Sequence, residues 1–526
     1  MKKYIIVCLT VLLTSCADIV DYPNPSSYDA ANYFTTPASI SEAVTATYAG
    51  LYFKGLFQWQ WHVVFDALGN EYDAGPGGSN EGDAIQAWNY TILNNNGYLT
   101  VMWKSLYRII LRANLAIDKG NAVYAATKDP TVARLIAEAK FMRGWAYFQL
   151  AYYWGRVPLR TTFDQSNNVN AQRAPVEEVW KQVQSDLEAA IVGLPVSYQG
   201  DDIGRVTKGA AIAVLGKKYL FNKDYANAEA QFAKLDKANG GMYDLLPGSQ
   251  WNDNFGETNK NNIEGVFEVQ HHWFSNSFIW GTFVDNQETA AAGQPSVHTA
   301  RPQLYGFNDW SNWKFSPQRV RDFVYTSEAG KLYVDPRAAL TFYGRPAGGD
   351  TLQLGDLTWC DQCKDQKMQS FDFKGKNGFW FRKYQNYEYK PGENTLQSNN
   401  NYRVIRYADV LLMRAEALIF QNKVAEGMVL INRVRTRIGA FAYTKTYSQA
   451  QATDLLKRER LLELIGEEHR YADLKRWGTA KQVLNAELQQ RGRPQSFEDK
   501  HLLFPIPLQE IDTNPGVAGD VANNWN

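Results

Sequence analysis

The chain has no apolar run long enough to cross a bilayer as a helix, no excess of either charge, only six histidines and only four cysteines. Each scarcity excludes something. The apolar stretch from Tyr4 to Leu13 is too short to span, and no later stretch is apolar enough. With 55 basic residues against 55 acidic ones, there is no electrostatic footprint for nucleic acid. His271 and His272 are adjacent, so on a strand their side chains point to opposite faces, and His469 lacks the i, i+4 histidine partner of a zinc-protease helix. Neither a G-x-S-x-G elbow nor a phosphate-binding glycine loop is present. The chain therefore reads as a binder rather than an enzyme, with no catalytic residues, no cofactor and no metal. Beyond Cys8 and Cys16, only Cys360 and Cys363 remain, in Trp359-Cys360-Asp361-Gln362-Cys363. A local disulfide, free thiols, and a redox or metal role all stay open for this pair, although zinc would require two further ligands and no His or Cys lies nearby.

What is present begins with a processing signal. Lys2 and Lys3 precede the short apolar run, and Leu13-Thr14-Ser15-Cys16 resembles a bacterial lipobox, whose cysteine receives the lipid. Residues 1–15 are expected to be cleaved, leaving Cys16 acylated and residues 16–38 as an extended tether carrying Pro23, Pro25 and Pro37. Aromatic residues are plentiful at 14%, while charged residues make only 21%, so some rings are expected outside the core.

From residue 39 the pattern is helical. Trp103, Tyr107, Ile110, Asn114 and Ile117 recur at spacings of four and three, which predicts one buried helix stripe with Asn114 as its polar member. Between Ala133 and Trp154 two stripes run side by side, one through Leu135, Ala139, Met142, Ala146 and Leu150, the other through Glu138, Phe141, Trp145, Phe148 and Tyr152; such a helix packs on two sides. Gly155-Arg156-Val157-Pro158 ends it, and Glu177 to Val192 predicts another. Thr207–Phe221 and the stripe Tyr225, Ala228, Phe232, Leu235 form a helix pair across Asn222-Lys223-Asp224. Ala408 to Leu418 and Val424 to Ile438 form a second pair across Gln421-Asn422. Paired helices of this length suggest degenerate tetratricopeptide-like hairpins. Between them, over 247–401, periodicity gives way to Gly, Asn, Asp, Trp and Tyr. This predicts an irregular, ligand-facing excursion with short strands near Gly265–Gln270 and Phe379–Tyr384. The expected organisation is a single domain over 39–526, mainly α, with helical parts at 39–246 and 402–526.

Several blocks together resemble the RagB/SusD family of outer-membrane lipoproteins. In the first half these are Trp103-Lys104-Ser105-Leu106-Tyr107 with Ala113-Asn114, then Glu138 to Gly144, Gly155 to Leu159, and Gly204 to Ala211. In the second half they are Tyr402 to Asp409, Arg414 to Ala417, Ile431 to Arg435, Glu467 to Gly478, Phe504-Pro505-Ile506-Pro507 and Asn514-Pro515. Glu468-His469 departs from the family, which often has a glycine there. The resemblance implies a surface-facing, lipid-anchored subunit of the outer membrane. Such a subunit captures a nutrient, an oligosaccharide or alternatively a peptide, for a SusC-like TonB-dependent transporter.

Glu459, Glu463 and Glu467 at i, i+4 spacing read as a partly buried ion network, with Arg460, Arg470 and Arg476 at hand and Asp409, Arg414 and Glu416 able to join. Sugar binding requires a flat apolar face for C–H groups with amides or carboxylates beside it. Two regions supply that: Asn70, Tyr72 and Asp73 leading through Gly75-Pro76-Gly77-Gly78 to Trp88 and Asn89, and Trp273, Trp280, Trp310 and Trp313 with Asn286, Asn308 and Asp309 between them. Trp103, Trp145 and Trp477, on helices, are expected to be core. Replacing Cys16 by Ala is expected to move the protein out of the membrane fraction and to remove acyl mass from its N-terminal peptide. A membrane-bound Cys16→Ala protein of unchanged mass would refute the anchor.

Overall fold

The computed structural model describes residues 30–74, 81–163, 170–272, 299, 301–305, 313–345, 378–384 and 398–518. Cys16, Trp273, Trp280, Trp310, Cys360 and Cys363 lie outside them, as do residues 1–15 and most of the tether. The described fold is mainly α with a few short strands.

The first half is a succession of helices, several of them capped by side chains. Helix α1 (Pro37–Tyr48) starts on a capping box between Thr36 and Ser39. It is followed by α2 (Gln60–Leu68), strand β1 (Tyr72–Ala74) and α3 (Gly82–Asn89). In α4 (Gly97–Thr127) the Asn96 side chain accepts from the Leu99 amide at 3.0 Å. Lys128 then takes a left-handed conformation, and Asp129 and Pro130 start α5 (Pro130–Trp154), which folds back along α4. Of the anticipated stripe, Trp103, Ile110, Asn114 and Ile117 are buried and Tyr107 half-buried. Asn114 is fully used: its amide donates to the Arg160 and Thr162 carbonyls and its oxygen accepts from Arg143. Helix α5 is buried along both predicted stripes because α4 packs on one side and α6 (Val176–Gly193) on the other.

Two hairpins follow one design. In α7 (Lys208–Phe221) and α8 (Tyr225–Ala233), Lys223 makes the left-handed turn. A Cβ on Gly216 would stand 2.6 Å from the Phe232 ring, so only glycine admits the approach. After strands β2 (Gly265–Val269), β3 (Trp313–Phe315), β4 (Phe342–Arg345), β5 (Gly378–Phe381) and β6 (Tyr402–Arg406), the second hairpin joins α9 (Tyr407–Phe420) to α10 (Val424–Thr436). Here Asn422 turns the chain and Gly427 sits under Ile419. Helix α8 lies against α9, with Tyr225 and Phe420 stacked at 4.9 Å. Three further helices, α11 (Gln449–Leu464), α12 (Arg470–Arg476) and α13 (Ala480–Gln490), complete the scaffold. Both anticipated strands are present, Gly265–Val269 pairing antiparallel with β6 and Gly378–Phe381 inside a four-stranded sheet of order β1-β3-β5-β4. The sheet covers its own core of Trp59, Tyr72, Trp313, Phe315, Phe342 and Phe381, beside the larger helical core.

The glutamate cluster is a fully buried ion network, wired differently from the expectation. Helix α11 stops at Leu464, and left-handed Gly466 redirects the chain, so Glu467 is not on the helix face of Glu459 and Glu463. Arg337 reaches Glu459 at 2.6 Å and Glu463 at 3.0 Å, and Arg435 holds Glu459 at 2.6 Å. Arg406 spans Glu463 at 2.8 Å and Glu467 at 2.6 Å, Lys383 reaches Glu467 at 2.7 Å, and Arg437 bridges Glu463 to Glu264. The cations first expected there serve other carboxylates: Arg460 holds Asp409 and Asp473, Arg476 holds Glu416 and Asp473, Arg470 holds Glu487, and Arg414 holds Glu229 and Asp236. Arg460 is one residue from Glu459 and so points about 100° around the helix.

Burial by itself would raise the pKa of Glu467, but Arg406 and Lys383 draw it down to about 2; Glu463 is likewise held far below the usual range, against burial, by Arg437, Arg406 and Arg337. A depressed carboxylate stabilises the fold above its unfolded value of 4.5 and loses that contribution as pH falls through the folded value. Thermal stability is therefore expected to drop between about pH 4.5 and pH 2. Arg406→Met, which leaves Glu463 and Glu467 short of a buried partner, is expected to cost about 3–5 kcal/mol in denaturant titration at pH 7. An unchanged midpoint would show that the network contributes nothing net.

Candidate functional site

Sheet register decides how the two aromatic regions meet. Strand β1 pairs antiparallel with β3, matching Tyr72 to Phe315, Asp73 to Lys314 and Ala74 to Trp313. Ala74 is the last described residue before 75–80, and Trp313 the first after 306–312. Because these two residues are partners across the ladder, the last described residue before 75–80 and the first after 306–312 stand opposite each other at one end of one sheet. The regions are 239 positions apart at Ala74 and Trp313, and the strand pairing joins them, with Tyr72 also packed on Tyr305 at 4.9 Å.

The anticipated ligand residues within the described chain are held by contacts of their own. Tyr72 and Trp313 are each 1% exposed and belong to the core under the sheet. Asn70, buried and left-handed just beyond α2, donates to Glu487 at 2.8 Å and accepts from Arg491. Asp73 pairs with Arg491. Trp88, half-buried near the end of α3, donates its indole N–H to the Tyr72 carbonyl at 3.1 Å. Arg493 covers its ring at 3.6 Å and donates to the Trp88 carbonyl at 2.8 Å and to Asn89 at 3.1 Å. Asn70, Asp73, Trp88 and Asn89 are thus gathered by two arginines of the segment after α13. Sequence reasoning missed both. Arg491-Gly492-Arg493 is a visible helix-ending signal, with Gly492 left-handed, but nothing in it points to a tryptophan four hundred positions away. Trp103 and Trp145 are core as expected, whereas Trp477 caps α12 and is only half-buried.

A guanidinium in contact with an indole face adds cation–π attraction to its hydrogen bonds. Burial and the neighbouring Tyr90 act on Arg493 in opposite directions, and burial prevails, lowering its pKa. Among the described residues no group of three or more His, Cys, Asp or Glu is arranged to hold a metal ion, and no helix is long and apolar enough to cross a membrane.

Two family models match where the quoted sequence blocks lie. One, described as the SusD family, covers residues 362–523, and one described as "Starch-binding associating with outer membrane" covers 68–220. SusD-like protein P2 of Formosa agariphila is 25% identical over 542 residues, covering 98% of either chain. The chain belongs to the RagB/SusD family. A SusD superfamily protein from Bacteroides vulgatus superimposes with a TM-score of 0.73 at 25% identity, over 92% of this chain and 98% of that one. Surface glycan-binding protein A from Bacteroides thetaiotaomicron shares the fold at a TM-score of 0.72 and 22% identity, over 94% and 99% of the two chains. Within this SusD-family chain, Arg493→Met is expected to lower stability by about 1–3 kcal/mol in denaturant titration, through loss of the stacked ring contact and two charge-assisted bonds. An identical midpoint would show that Trp88 is held without it.

Proposed function

We propose that this SusD-family protein binds an oligosaccharide at the cell surface and delivers it to a TonB-dependent outer-membrane transporter, held to the membrane through acylated Cys16 and the 16–38 tether. The observation that carries the binding reading is the Ala74–Trp313 pairing, which sets the residue before the glycine-rich 75–80 stretch opposite the residue that follows 306–312. A flat ring with amide and carboxylate groups alongside is the composition sugar recognition requires. Trp273, Trp280 and Trp310 are the proposed contact rings. Asn70, Tyr72, Asp73, Trp88, Asn89 and Trp313 are proposed to act as the frame that fixes them. The relatives' names add support, since one solved neighbour is named as a surface glycan-binding protein and one matching family model as starch-binding.

The reading is of a binder, not a hydrolase: the buried carboxylates of α11 are consumed by arginines and are unavailable for acid–base work. The soluble Cys16→Ala protein on a glycan array is expected to retain one oligosaccharide class, and Trp310→Ala to weaken that binding about tenfold or more, a change of about 1.4 kcal/mol. Retention of peptides and of no glycan would replace oligosaccharide by peptide. Sugar release from a polysaccharide by the purified protein would overturn the non-enzymatic reading.

A further inference from the structure

Among the described strands β2 pairs with β6 and with no other, so one of its edges has no strand beside it. A cavity of about 310 Å³ is lined by Gly265, Val266, Phe267 and Glu268 of β2 in succession, and by no residue of β6. Side chains alternate between the faces of a strand, so four consecutive residues meet one cavity along the strand's edge, where main-chain N–H and C=O groups point. Just before the strand this edge is occupied, since the Ile263 carbonyl accepts from the Asp244 amide at 3.3 Å. Beyond it, Val266 and Phe267 make no main-chain hydrogen bond among the described residues apart from the ladder with β6. Such an edge is a template for a further strand.

The rest of the lining comes from residues 196–207, between α6 and α7, and from the stretches around Met242 and Ile263. Its aliphatic members are in the open: Val196 is 53% exposed, Ile203 52%, Met242 44% and Ile263 37%. Single apolar residues on a surface need no explanation, whereas four converging on one cavity mark an interaction site. Tyr243 and Phe267 are buried and the Arg134 guanidinium stands over the Tyr198 ring at 5.5 Å, so the accessible wall is aliphatic rather than aromatic. Only two of the lining residues are charged, and both are engaged. Arg205 pairs with Glu138 at 3.0 Å and with Asp202, and Glu268 accepts from the Asn261 amide at 3.1 Å and the Asn401 side chain at 2.8 Å. A charged guest would lose hydration there without gaining an ion pair from the lining.

We propose that this cavity is a docking site for an extended, uncharged segment of a partner polypeptide, which adds to β2 as a third strand. The main chain of that segment bonds to the open edge, and its aliphatic side chains at alternate positions pack on Val196, Ile203, Met242 and Ile263. The complementarity is in charge as well as shape, since a lining whose own charges are paired internally favours a neutral guest. The site does not rest on the glycan reading or on the loop rings.

The test uses the full soluble chain carrying Cys16→Ala and a capped pentapeptide of alternating valine and threonine, titrated by saturation-transfer NMR. Saturable binding is expected with a Kd below about 1 mM. Ile203→Lys and Met242→Lys each place an ammonium group at an exposed position of the wall, and are expected to weaken binding about tenfold or more at unchanged melting temperature. The same peptide with every amide N-methylated keeps its side chains but loses its main-chain donors, and is likewise expected to bind about tenfold more weakly. Equal binding by Ile203→Lys, equal binding of the N-methylated peptide, or no saturable binding at all would overturn the site. Displacement of the peptide by maltose would overturn it too, by assigning the cavity to a sugar.

Discussion

The fold depends on a buried ion network centred on Glu459, Glu463 and Glu467, which ties the central excursion to the C-terminal helices at one place. Arg337 and Lys383 come from the central excursion, Arg406 from the strand leading into α9, and Arg435 and Arg437 from α10 and its end. Each of these groups is too costly to bury alone, so removing any one leaves the others exposed to the full desolvation penalty. That is a strong demand on geometry. It fixes where the irregular 247–401 region meets the helices, which hydrophobic contacts by themselves specify less sharply.

From that junction the sheet follows. Lys383 is two residues beyond β5, and donates to the Glu463 and Ile465 carbonyls as well as to Glu467. With β5 anchored there, β3 and β4 pair to either side of it and β1 joins the far edge of β3. Ala74 and Trp313, at one end of this sheet, thus stand on a base fixed by the network. Arg491 and Arg493 brace the same base from the C-terminal side, taking up Asp73, Asn70, Trp88 and Asn89.

In the network nearly every carboxylate and guanidinium is saturated, which is what makes it structural. Helix amphipathicity, proline and glycine punctuation and capping residues made the helices legible, including the two hairpins with their turns at Lys223 and Asn422 and the strands at Gly265–Val269 and Gly378–Phe381. These signals are local, so they need no knowledge of the fold.

The amino-acid order alone determined the mainly helical architecture, the family, and the ion pairing of the glutamate cluster, since each is carried by spacing within short segments. It did not determine which cations answer those glutamates. Arg460 is adjacent to Glu459 but turned to another face, and the true partners arrive from distant segments through packing. Nor could it show that Tyr72 and Trp313 are paired into a core while Trp88 is pinned by Arg493. Whether an aromatic side chain becomes frame or contact surface depends on what covers it, and only tertiary structure supplies the cover.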